Sequence, residues 1–184
     1  MSNLLNLTCL IYKIIIYYIS GVVDIIYYNI LFLKERFNMI KYFVKQWEDC
    51  KEEVREYFKT HKQSEYATNY EDILGAVLNC INSHNGREIF NTEKLETIDY
   101  GDYQGTLIIT FCEETCQPDD NETYYTVVGY GSCSGCDTLL GISEYRDGYP
   151  SEEQVNDYMA LALHLIQGIK CFGYKSKFEK EGEM

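Results

Sequence analysis

From residue 40 onward, apolar side chains recur at helical spacing. Ile40, Phe43, Val44, Trp47, Val54, Tyr57 and Phe58 share one face opposite Glu48, Asp49, Lys51, Glu52, Glu53 and Arg55, which predicts an amphipathic helix over 40–60. Asn69 has the chemistry of a helix cap, with Glu71 and Asp72 in the turn that follows. Ile73, Leu74, Val77, Leu78 and Ile81 then form the buried stripe of a second helix, which stops at the loop-forming run Asn82-Ser83-His84-Asn85-Gly86. Three β-rich runs follow at 95–100, 105–112 and 123–130. They are separated by GDYQ and by the polar stretch EETCQPDDNE, and such short connections favour an antiparallel meander. A last helix opens at Ser151, with Pro150 before it and Gln154 completing a capping box. Its stripe is Val155, Tyr158, Met159, Ala162, Leu165, Ile166 and Ile169, its expected end is Gly173, and a charged tail occupies 174–184. The expected fold is α+β, a small antiparallel three-stranded sheet covered on one face by about three helices in the order α-α-β-β-β-α. A short helical turn is expected around 138–142.

Residues 1–38 follow a different pattern and hold eight isoleucines, five tyrosines and four asparagines. The twenty residues from Ile14 to Leu33 are long enough to span a bilayer, but Asp24 lies near their middle. Twelve aliphatic or Phe residues favour insertion by roughly 4–7 kcal/mol, and the central Asp opposes it by about 3. Ser20, Asn29 and four tyrosines erode the remainder, so a membrane segment is marginal. A second reading comes from codons. Lys34-Glu35-Arg36 is compatible with a purine run like a bacterial ribosome-binding site, two codons ahead of Met39. On that reading Met39 is the true start, 1–38 is a gene-calling artefact whose Ile/Tyr/Asn richness is that of AT-rich non-coding DNA, and the single domain is 39–173. A helical hairpin packed on the domain is the third reading.

Charge narrows the function classes. The chain carries 29 acidic and 16 basic side chains, a net −13. Such a protein repels phosphate backbones, so direct nucleic-acid binding is not expected, whereas basic protein surfaces attract it. Eighteen tyrosines supply aromatic contact area suited to protein interfaces. No cleavable signal peptide is evident at the start, so the eight cysteines are read as free thiols in a reducing compartment, the host cytoplasm on the reading below. Cys50 and Cys80 lie in helical stretches and Cys171 at a helix end, where a thiol acts as a small core hydrophobe.

The sharpest motif is GSCSGCD, residues 131–137, directly after the last strand. With Cys112 and Cys116 it gives the spacing C-x3-C-x16-C-x2-C, close to that of a four-cysteine zinc site. The strand reading opposes that site, because it puts the two pairs at opposite ends of one ladder, about 25 Å apart. Cys133 and Cys136 alone have the spacing of a redox pair. Neither Pro118 nor Pro150 is placed as the cis-proline of a thioredoxin-like site would be. A Cys–His pair with His164 is weaker, since one histidine on an apolar-striped helix is ordinarily a core or boundary residue; His61 and His84 read as loop residues. Backbone N–H groups of 131–137 offer an anion site, which Asp137 opposes. The plain alternative is a tight turn whose thiols pack beneath the helices. Asp99, Asp102, Asp119, Asp120 and Glu122 read as solvated turn residues rather than magnesium ligands. No catalytic residue is assigned. Tyr130, Cys133, Cys136 and Asp137 are the candidate binding residues, and zinc is the one cofactor left open, with Cys112, Cys116, Cys133 and Cys136 as its candidate ligands.

The stretches QWEDCKEEVREYF (46–58), DYQGT (102–106), YGSCSGCDTL (130–139) and PSEEQVNDYMALALHLIQ (150–167) resemble a family of small uncharacterised proteins of phages and prophages of Gram-positive bacteria. The resemblance covers about residues 40–170 and implies no established activity. Beside it, the lack of a catalytic constellation, the acidic charge and the many tyrosines lead to the expectation of a phage accessory protein, non-enzymatic and acting by binding a host or phage protein, with an acidic face suited to a basic nucleic-acid cleft. The alternative is a metal- or thiol-dependent module centred on the CSGC loop.

Overall fold

The computed structural model describes residues 2–64, 69–133, 135–144 and 146–173, with side chains from Ile26 onward except at 28, 32 and 35. The chain divides into two compact units, Met1–Phe37 and Asn38–Met184. The backbone of the first is helical from Ser2, without the turn that a hairpin within 1–38 requires, so the hairpin reading is corrected. Most side chains that bear on the membrane reading of 14–33 lie outside the described residues. Among the described residues, no helix is both long and apolar enough to cross a membrane.

The second unit is α+β. It holds the end of helix α1 (Ser2–Thr60), α2 (Tyr70–His84), strands β1 (Phe90–Gly101), β2 (Gly105–Glu113) and β3 (Thr123–Tyr130), then α3 (Thr138–Ser143), α4 (Glu152–Gln167) and β4 (Lys170–Cys171). The sheet is antiparallel in the order β1-β2-β3-β4, so four strands replace the expected three. The chain leaves α4 at Gly168, not Gly173, and Lys170 and Cys171 pair with Tyr125 and Tyr124. Two residues carry no periodicity, which is why β4 is invisible in the pattern. The short turn expected at 138–142 is a helix of its own, α3.

Both expected caps form. Asn69 and Asp72 close a capping box on α2, and Ser151 and Gln154 close another on α4. β1 begins at Phe90 rather than Leu95. Its register slips between Asn91 and Glu96, so FNTEK does not read as a regular strand. Asn82 fixes this start: its side-chain oxygen accepts from the N–H of Ile89 (2.8 Å) and Phe90 (3.0 Å), and its amide donates to the Phe90 carbonyl (2.7 Å).

The helices cover one face of the sheet. Phe43 of α1 lies 5.6 Å from Phe90, 6.4 Å from Phe111 and 5.9 Å from Tyr124 between ring centroids, in stacked and edge-on pairs, and all four are buried. Thr126 is buried on the same face and its hydroxyl donates to the Leu165 carbonyl of α4 at 3.0 Å, tying the last long helix to β3. Cys50 is in this core, where burial pushes its thiol up to about 12, and Cys80 and Cys171 pack half-buried against it. Those thiols serve as hydrophobes. On the opposite face Ile98, Ile108 and Val127 stand in cross-strand register, with Ile98 and Val127 exposed.

Candidate functional site

The site lies where β3 runs out at Tyr130 and the chain turns through the cysteine loop into α3. Gly131 is buried, and a Cβ there would come within 2.5 Å of the Cys136 sulfur and 2.8 Å of its carbonyl oxygen, so only glycine lets Cys136 fold back over the strand end. The N–H groups of Cys136 and Asp137 both donate to the Cys133 carbonyl at 2.9 Å, closing a tight turn. Ser134 lies outside the described residues.

This turn brings the two thiols together. Cys133 Sγ and Cys136 Sγ are 2.6 Å apart, both residues are exposed, and both are free thiols. The Cys133 N–H donates to Cys136 Sγ and the Cys136 thiol reaches the Cys133 carbonyl, each at 3.2 Å. The pair is electrically unequal. The Cys136 thiol, with help from backbone N–H groups of Gly135 and Cys136, holds Cys133 below the ordinary thiol value, and the hydrogen bond to Cys133 raises Cys136. Cys133 is therefore the thiol of the pair that deprotonates first, and Cys136 the one that holds its proton longer.

Asp137 is turned inward, not presented to a ligand. It caps α3 by accepting from the Leu140 N–H at 3.1 Å, and it accepts from the Tyr70 hydroxyl at 2.9 Å and the Gly131 N–H at 3.2 Å. Tyr70, the first residue of α2, is buried and its hydroxyl also accepts from the Leu139 N–H at 3.2 Å. Burial is the main cause that pushes its phenol up to about 12. The sequence marks Tyr70 only as the residue after a cap, and nothing in its spacing signals this contact. Tyr130 is half-buried and its hydroxyl donates to Asp99 at 2.6 Å. Asp99 therefore sits within β1 rather than in a turn.

The ladder keeps the other cysteines away. Cys112 pairs with Thr123 and Gly105 with Tyr130, so Cys112 stands at the far end of β2 from the thiol loop, and Cys116 follows it into the β2–β3 connection. Asp119 and Glu122 accept backbone N–H bonds within that connection, from Asn121 at 2.7 Å and Asp119 at 3.3 Å, as turn residues do. Among the described residues, no three His, Cys, Asp or Glu side chains gather in a way that would hold a metal ion. His164 is exposed on α4 rather than part of the core, and His84 is the last residue of α2 rather than a loop residue. A separate cleft of about 130 Å³ between the ends of α1, α2 and α4 includes His61 and Gln63, of which His61 Nδ1 and the Gln63 amide are already engaged. The His61 ring stacks on Tyr57, with Nδ1 2.8 Å from the Tyr57 carbonyl, and Gln63 accepts from Tyr158 at 2.8 Å.

The chain matches no family model, no curated protein and no solved structure. The chemistry of the loop itself carries the functional reading.

Proposed function

We propose that Cys133 and Cys136 form a redox-active dithiol that exchanges with disulfides of other molecules. The observation behind this reading is the 2.6 Å approach of two exposed sulfurs, which leaves closure to a bond of about 2.0 Å within reach of side-chain adjustment alone. In the exchange, the Cys133 thiolate attacks one sulfur of a partner disulfide and the partner's other sulfur leaves as a thiolate. The Cys136 sulfur, losing its proton, then attacks Cys133 and expels the partner's remaining thiolate. The loop is oxidised to a disulfide and the partner is reduced to two thiols.

The test is titration of the reduced full chain with oxidised dithiothreitol, followed by alkylation and mass analysis. We expect a loss of two hydrogens mapping to Cys133 and Cys136, abolished by Cys133→Ser or Cys136→Ser and unaffected by Cys112→Ser. Because its neighbours lower the Cys133 titration, alkylation of Cys133 should reach half its maximal rate at a lower pH than a free cysteine, and that of Cys136 at a higher one. A pair that never closes under any oxidant sinks the reading. Zinc that co-purifies with the reduced chain and is lost from the double Cys→Ser variant would favour the metal-dependent module instead.

A second reading rests on a different observation: the open sheet face exposes Ile98 and Val127 in one cross-strand row, beside an acidic surface. On that reading the chain is a phage accessory protein of the host cytoplasm that binds a host or phage protein, its acidic face occupying a basic cleft.

A further inference from the structure

Resting on the dithiol reading, we propose that the disulfides exchanged at Cys133–Cys136 are carried on positively charged polypeptide segments. From Leu95 through Tyr145 the chain contains no Lys, Arg or His and ten Asp or Glu residues. That stretch builds most of β1, all of β2 and β3, the thiol loop and α3. Every ionised side chain the sequence supplies within 95–145 is therefore an anion; the one cation on these elements, Lys94, stands in the first half of β1, toward the Cys112 end of the ladder.

The register brings part of that charge to the thiol loop. The β1–β2 hairpin tip closes through Gly101↔Gly105, and Gly105 in turn pairs with Tyr130, the residue that leads into the loop. Cys133 follows Tyr130 by three residues, so their Cα atoms are no more than about 11 Å apart. Asp99 is held on the Tyr130 hydroxyl at 2.6 Å, and the Asp102 charge also acts on that hydroxyl. The same hairpin exposes Tyr100 and Tyr103, each 83% accessible, whose rings offer faces to Lys or Arg. The carboxylates stand farther from the sulfurs than this Cα separation by the length of the Tyr130 side chain, a distance inside the Debye length of about 30 Å at low salt, where a charged group arriving at the sulfurs feels both. Asp137, nearest in sequence, is buried with three donors on its oxygens and is not needed for this selection. A cationic segment gains both carboxylate attraction and ring contact, and an anionic one meets repulsion from the same two carboxylates.

The experiment compares two disulfide-bridged peptides of one length, the cystine flanked by Lys in one and by Glu in the other. Initial rates of oxidation of the reduced full chain are measured at low and high salt. Each rate is divided by that of the same peptide with dithiothreitol, which removes differences in intrinsic reactivity. We expect the Lys peptide to react on the order of tenfold faster at low salt, the advantage shrinking severalfold at high salt. Asp99→Asn combined with Asp102→Asn should cut the low-salt advantage two- to threefold (about 0.4–0.7 kcal/mol from RT ln of the ratio). The amide that replaces the Asp99 carboxylate keeps an acceptor oxygen for Tyr130, so the loop should hold its shape. Equal normalised rates for the two peptides, in a protein that does exchange, overturn the charge selection and leave the dithiol standing. A chain that exchanges with neither peptide nor with oxidised dithiothreitol overturns both.

Discussion

Asp137→Ala is expected to destabilise the domain by about 4 kcal/mol, measured by urea unfolding of the reduced protein. The carboxylate is 7% exposed and accepts from the Tyr70 hydroxyl, the Gly131 N–H and the Leu140 N–H. Alanine leaves these three donors without that acceptor, and each buried donor so orphaned costs roughly 1–3 kcal/mol, less where water enters. Loss of the α3 cap is one part of the sum, worth about 1 kcal/mol by itself. Asp137→Asn separates charge from geometry. An amide oxygen in the place that serves Tyr70 and Leu140 directs its NH2 at the Gly131 N–H, donor against donor, so Asn should recover only about half the loss. Asp137→Asn at full wild-type stability would show that the Gly131 contact contributes nothing. Because Gly131 opens the thiol loop and Tyr70 opens α2, the same variants should also slow closure of the Cys133–Cys136 disulfide. An alanine variant with an unaltered closure rate would separate the loop's geometry from the carboxylate.

The sequence made the long elements legible because their signals are local. The stripe of α2 and its Asn69 cap, and the stripe of α4 through Ile166 and its Ser151–Gln154 box, rest on residues within a few positions of one another and appear in the fold as read; that Asp72 completes a box with Asn69 is added by the structure. What it hid depends on distant partners. β4 is a strand only because Tyr124 and Tyr125 lie beside it, and the register slip of β1 masks its first five residues. The site divides in the same way. The proximity of Cys133 and Cys136 follows from their spacing, and the strand lengths alone put Cys112 at the other end of the ladder. The inward turn of Asp137 does not follow from the motif, because the groups that claim its oxygens include a tyrosine 67 residues away in sequence. Nor does the pairing of Asp99 with Tyr130, 31 residues apart, which moves Asp99 out of the class of turn residues and into the surroundings of the thiols.

Gly131→Ala is expected to separate the two thiols. The added methyl would stand 2.5 Å from Cys136 Sγ, 2.8 Å from its Cβ and 2.8 Å from its carbonyl oxygen. A side chain alone could swing aside, but the carbonyl belongs to the backbone that places both Cys136 and Asp137, so the loop itself must shift. Such overpacking typically costs about 1–3 kcal/mol of stability. The larger effect should fall on the chemistry. With Cys136 displaced, its hydrogen bond no longer favours the Cys133 thiolate, and disulfide closure should slow by on the order of tenfold, since intramolecular reactions depend steeply on the geometry of approach. The pH at which Cys133 alkylation reaches half its maximal rate should rise toward the ordinary thiol range, because the group that lowers it most has moved away. Gly135→Ala is the matched comparison: a Cβ at that position meets nothing within 4 Å, and alanine keeps the N–H that Cys133 uses. It should leave closure and alkylation near the wild-type values. If the two alanine variants close their disulfides equally fast, the packing of Cys136 against Gly131 does not hold the thiols together, and the pairing must come from the CSGC turn alone.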